Sequence, residues 1–110
     1  MKEINAVVQP GRLARVRDAL RGLPDFPGMT VERVEGCSPA RAGDPGAGIK
    51  GELTDYSPGV RITLLAPDAL VPEIVRRIHA AAHTGQKGDG ILWVRPVEAV
   101  ITLREPPAAG

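Results

Sequence analysis

An α+β domain of element order βαββαβ is what this 110-residue sequence predicts. Three observations carry it. Two segments place apolar residues at helical spacing, several shorter ones alternate apolar and polar residues, and proline or glycine marks most of the junctions between them. Residues 2–9, KEINAVVQ, put Ile4, Ala6 and Val8 on one side and stop at Pro10-Gly11, as a half-buried strand does. Residues 11–23 place Leu13, Val16, Leu20 and Leu23 on one helical face and Arg12, Arg15, Arg17 and Asp18 elsewhere on the wheel. The connector Pro24-Asp25-Phe26-Pro27-Gly28 ends that helix, and MTVERVEG (29–36) alternates again as a second strand.

Residues 38–57, SPARAGDPGAGIKGELTDYS, have no apolar period, and an unstructured stretch of this length inside a small domain is functional or mobile. VRITLLA (60–66) is the third strand. Pro67-Asp68 opens a second helix with Asp68 as its expected N-cap. Val71, Ile74, Val75, Ile78 and Ala82 give this helix its apolar face, and Pro72 is tolerated in the first turn. ILWV (91–94) and VEAVITL (97–103) read as two short strands, and residues 106–110 as a disordered tail. The order corresponds to a split-βαβ, ferredoxin-like sandwich of one domain over residues 1–105, with both helices on one face of an antiparallel sheet. Fold alone assigns no function.

Composition narrows the classes. Aromatic residues are limited to Phe26, Tyr56 and Trp93, so Val, Leu, Ile and Ala must build the core. A domain this small leaves much surface exposed, for which self-association is a common remedy. Net charge is +1, with 14 basic and 13 acidic residues dispersed along the chain, and no basic stripe interleaves with aromatics; nucleic acid is not an expected partner. No apolar run reaches membrane-spanning length and no secretory leader pattern precedes the first strand, so a cytoplasmic protein without membrane insertion is expected. A single cysteine, Cys37, excludes an internal disulfide and a cysteine-based zinc site; with no paired base it reads as a small residue packed at a strand end. No nucleophile–base pair suggests an enzyme. His79 and His83, four apart on the second helix, can share a face, but no third ligand at matching spacing completes a metal site, and histidines at a helix C-terminus are favoured by its dipole.

The segment HTGQKGDGILWV (83–94) stands between the second helix and a strand. Glycines there let backbone N–H groups turn toward an anion, although the same chemistry serves an ordinary connector. In this context the segment resembles the TGxxGDGxxxV loop of the P-II family of trimeric signal-transduction proteins. MKEINAVVQPGRLARVRDAL is similar to that family's opening strand and helix, GMTVERVEG to its second strand, PGVRITLLAPDALV to its third strand and second-helix start, and PVEAVITLRE to its last strand.

The resemblance implies a homotrimer with adenine-nucleotide sites in the clefts between subunits, and a long loop, residues 38–57, that docks on a protein partner. It implies nucleotide-phosphate contacts from Gly88, Asp89 and Gly90 and from Gly36, Cys37 and Ser38, adenosine contacts from Val7, Thr30 and Leu65, and a phosphate-gripping Arg104. Departures matter equally. The family lysine after GDG is Ile91, the first of two strand arginines is Thr102, and Gly-Arg-Gln at the start of the long loop reads Ser38-Pro39-Ala40. The lost Gln removes the usual coordination of Mg-ATP with 2-oxoglutarate. The lost cations favour a less charged nucleotide, ADP or AMP, over Mg-ATP, with no cofactor required. Lys87 and Arg41 are candidates to restore part of the charge, against an equally weighted reading as solvated surface charges. Glu52 and Lys50 replace the tyrosine and serine that relatives modify. The pattern points to a divergent branch whose partner protein is a transporter or an enzyme, a metal-efflux membrane transporter being one such partner. A constitutive trimeric adaptor without nucleotide binding is the alternative.

Overall fold

In the computed structural model, which describes residues 1–37, 56–104 and 106, four strands form one antiparallel sheet in the order β2-β3-β1-β4. These are β1 (Lys2–Val8), β2 (Thr30–Cys37), β3 (Tyr56–Ala66) and β4 (Gly90–Pro96), with α1 (Leu13–Arg21) and α2 (Val71–Ala82) between them. A single 3-10 turn leads into each helix, at Pro10–Arg12 and Asp68–Leu70. The architecture is the expected ferredoxin-like sandwich. β1 pairs with β3 on one side (Ile4 opposite Leu64) and with β4 on the other (Ile4 opposite Val94), so the first strand is central.

The period-2 pattern decides which face is covered. Ile4, Ala6 and Val8 of β1 and Val60, Ile62, Leu64 and Ala66 of β3 point to the helices and are buried. Val16 and Leu20 of α1 and Ile74, Ile78 and Ala82 of α2 close over them as one core. Each fully buried Leu or Ile contributes about 1.5–3 kcal/mol relative to exposure. Arg77 ties the helices together. Its Nη1 donates to the Ala19 carbonyl at 2.8 Å and its Nε to Glu73 at 2.9 Å.

Several sequence expectations need correction. β3 begins at Tyr56, four residues before the expected start, and Tyr56 pairs with Cys37 at the far end of a two-stranded ribbon. Tyr56 is 63% exposed, beyond the level of Val60 where β1 ends. Pro58 sits in that ribbon opposite Glu35, where a missing ladder donor is tolerated. Cys37 is likewise exposed. Asp68 makes no side-chain cap; its carboxylate accepts from the Met1 α-amino group at 2.7 Å, which holds it below the ordinary Asp range. The last expected strand, 97–103, is not formed. Val97 N–H still donates to the Met1 carbonyl at 3.2 Å, but beyond it Val100, Ile101 and Leu103 are exposed, and among the described residues nothing pairs with them. Alternation supplies a strand face, whereas a strand also needs a ladder partner. Most of the long loop (38–55) and all but Pro106 of the tail expected to be disordered lie outside the described residues.

Candidate functional site

The open face of the sheet is built in rows set by register. Glu32, Arg61, Val7 and Ile91 form one row across β2, β3, β1 and β4; Thr30, Thr63, Asn5 and Trp93 form the next; Leu65, Glu3 and Arg95 form the third. Several polar side chains on this face are paired. Arg61 donates to Glu32 at 2.7 Å, Thr63 Oγ1 to Asn5 Oδ1 at 3.0 Å, and Asn5 Nδ2 to Glu3 at 2.9 Å. Arg95 lies 3.3 Å from the same Glu3 carboxylate. Val7, Thr30 and Leu65, the expected adenosine contacts, thus share one face, each in a different row. Trp93 is also on this face, 36% exposed, and so is not part of the helix-covered core.

The glycine loop between α2 and β4 is held from within. Asp89 Oδ2 accepts from the Thr84 N–H at 2.8 Å and the Gly85 N–H at 2.9 Å, and its Oδ1 from the Thr84 hydroxyl. Gln86 N–H donates to Thr84 Oγ1 at 3.2 Å. These bonds, the Thr84 hydroxyl first and its backbone N–H second, hold the Asp89 carboxyl below the ordinary Asp range. The side chain of Asp89 therefore braces the loop, and its carboxylate is turned to the loop's own donors. Gln9 reaches across from the end of β1, its Nε2 donating to the Gly88 carbonyl at 3.1 Å.

Gly85, Gly88 and Gly90 all have positive φ (81°, 87° and 107°), which other residues adopt at a cost. Gly90 is the tightest of these. A Cβ there would overlap the Val7 carbonyl oxygen and stand 2.9 Å from its carbon. β1 and the loop thus meet backbone to backbone.

Gly88, Asp89 and Gly90 accordingly gather at the C-terminal end of β1 beside Val7. Gly36 lies at the same end of the sheet, opposite Ser57 on the ribbon, and Cys37 is opposite Tyr56. Lys87 is an exposed residue of the loop. Ser38, Pro39, Ala40, Arg41, Lys50 and Glu52 lie outside the described residues. Arg104 is exposed, beyond the end of β4. Ile91, where a phosphate-binding lysine was expected, is 67% exposed on the open face.

A family model described as "Nitrogen regulatory protein P-II" matches residues 1–106. The chain belongs to the P-II family. A P-II nitrogen regulatory protein of Azospirillum brasilense is 33% identical across the whole of this chain and 97% of its own length. The P-II protein 1 of Escherichia coli K12 is 35% identical, over 94% of this chain and 92% of its own. A glnB-like protein 2 of the nitrogen-fixation nifHD region in Methanococcus maripaludis is 36% identical, covering 94% and 93%. As a P-II family member the chain has a regulatory, signal-transducing role. No helix among the described residues is long and apolar enough to cross a membrane.

One feature of the P-II loop was only half visible in the sequence. His79 and His83 share a face, their rings stacked with centroids 5.0 Å apart. They do not stand alone as an i,i+4 pair: they line a shallow cavity of about 170 Å³ together with Asp89, Val7 and Leu92. His83 Nδ1 is 3.7 Å from Asp89 Oδ2. The signal was the adjacency of His83 to Thr84-Gly85, where the helix ends and the loop begins. Among the described residues, no group of three or more His, Cys, Asp or Glu is placed to hold a metal ion.

Proposed function

We propose that this P-II protein senses an adenine nucleotide at clefts between the subunits of a homotrimer and passes occupancy through residues 38–57 to a protein partner, a membrane transporter or an enzyme. The observation that carries the reading is the glycine loop. Asp89 occupies the Thr84 and Gly85 donors, Gly88 and Gly90 have positive φ, and the loop is anchored on β1 beside Val7. A loop braced by its own side chains loses little entropy on binding a ligand. Exposed apolar side chains at Leu65, Ile91, Ile101 and Leu103 support self-association, and a second subunit would supply what one chain lacks at the cleft, Arg104 included.

Charge favours ADP or AMP over Mg-ATP. Ile91 and Thr102 stand where two cations are expected, and each charge-assisted hydrogen bond lost is worth about 1.5–3 kcal/mol. Loss of both predicts a preference for fewer phosphates. A ligand shifts the partner-docking loop only as far as it binds one conformation better than another. Titration calorimetry with ATP, ADP, AMP and cyclic AMP tests this. The expected result is micromolar binding of AMP or ADP and weaker binding of ATP. Silence with all four at millimolar concentration removes the sensing claim.

The same substitutions favour a second reading, a constitutive trimeric adaptor that no longer binds nucleotide. Under it, capture of the partner is indifferent to added nucleotide; under the first, it changes.

A further inference from the structure

The loop brace at Asp89 has an ionisable neighbour. His83 Nδ1 stands 3.7 Å from Asp89 Oδ2, the oxygen that holds the Thr84 and Gly85 amides. The ring is 58% exposed and can exchange protons with solvent, while the Asp89 side chain is 22% exposed. We propose that His83 is a proton-operated clasp on the glycine loop: its imidazolium forms an ion pair with Asp89, and this fastens the Thr84–Asp89 turn at mildly acidic pH.

The surroundings set the sign. Of the residues that line the cavity at this point, His79, His83 and Asp89 are the titratable ones; β1 and β4 present Val7, Val8, Ile91 and Leu92, which carry no charge. The Asp89 carboxylate faces His83, and the C-terminal end of α2, with its partial negative charge, lies at the same residue. His79 is stacked on the same ring, with centroids 5.0 Å apart. Lys87 is the other charged side chain within the loop. Because the Thr84 and Gly85 bonds hold Asp89 below the ordinary Asp range, it stays ionised where histidines change charge, between about pH 5 and 8. The clasp is therefore present below the histidine range and is lost as pH rises through it.

Amide hydrogen exchange of Thr84 and Gly85 tests the clasp directly, each rate normalised to the intrinsic exchange rate at the same pH. A partly exposed ion pair of this kind should raise protection about two- to fivefold between pH 8 and pH 5. H83Q should abolish the rise, and H79Q should keep it. Protection that is independent of pH in the unsubstituted protein overturns the proposal, as does an unchanged rise in H83Q. Loss of the rise in H79Q alone also overturns it, since the proton would then act from the other ring. The measurement needs no nucleotide, so failure of the clasp and failure of nucleotide sensing are read separately.

Discussion

Gly90→Ala probes the contact on which the loop's position depends. Gly90 has φ 107°, and a Cβ at this position would overlap the Val7 carbonyl oxygen. A non-glycine residue held at such a φ costs about 1–3 kcal/mol. The Val7 carbonyl is backbone and cannot rotate aside as a side chain would. β4 must therefore retreat from β1, and each ladder hydrogen bond weakened adds about 0.5–1.5 kcal/mol. With one or two such bonds affected, the total destabilisation is about 1.5–6 kcal/mol.

Gly88→Ala is the matched control. Its φ is 87°, but the nearest atom to an added Cβ is Gln9 Nε2 at 3.6 Å, the end of a flexible side chain. Only the backbone term remains, about 1–2 kcal/mol. Gly11→Ala, with nothing within 4 Å and no positive φ, should change stability by less than about 1 kcal/mol. Urea unfolding followed by circular dichroism ranks the three at one fixed protein concentration, because self-association moves the midpoint. At a slope of about 1–3 kcal/mol/M, Gly90→Ala should lower the midpoint on the order of 1–2 M. Equal midpoints for Gly90→Ala and Gly88→Ala would refute the steric argument.

Further predictions concern the core, the helix staple and the loop brace. Leu20→Ala removes a fully buried side chain from between α1 and the sheet and should cost about 2–5 kcal/mol in the same assay. Glu73 accepts from Arg76 and Arg77, and these bonds lower its carboxyl to about 2 from an ordinary 4.5. A depressed carboxylate stabilises the fold above its unfolded-state value, and that stabilisation is lost as pH falls toward 2; E73Q should lower thermal stability at pH 7, by a margin that shrinks between pH 4.5 and 2. D89N replaces an acceptor of three loop bonds, so hydrogen exchange at Thr84 and Gly85 should quicken while the amides of β3 are unaffected.

Much of the fold was legible because period and punctuation are local properties. Ile4, Ala6 and Val8 alternate whatever they pack against, and Val16–Leu20 and Ile74–Ile78 recur one helical turn apart before any helix docks. The errors arose where a second element decides. Residues 97–103 alternate as β1 does, yet among the described residues no neighbouring strand meets them. Tyr56–Gly59 lack an apolar alternation and still form a strand, because β2 extends alongside to pair with them. Asp68 has the residue type of an N-cap, but the Met1 ammonium takes its carboxylate.

The candidate site divides along the same line. The sequence by itself determined that the TGQKGDG segment is a glycine-rich turn after a helix, that it resembles a P-II loop, and that Ile91 and Thr102 stand where the resemblance implies cationic side chains. Each of these is a matter of residue type at a position. Only the tertiary structure decided that Asp89 points inward to brace Thr84 and Gly85, that Gly90 must lack a Cβ because Val7 passes behind it, and that His83 meets the Asp89 carboxylate. Those facts depend on where α2 ends relative to β1, a distance that the packing of both helices on the sheet fixes and that no spacing along the chain encodes.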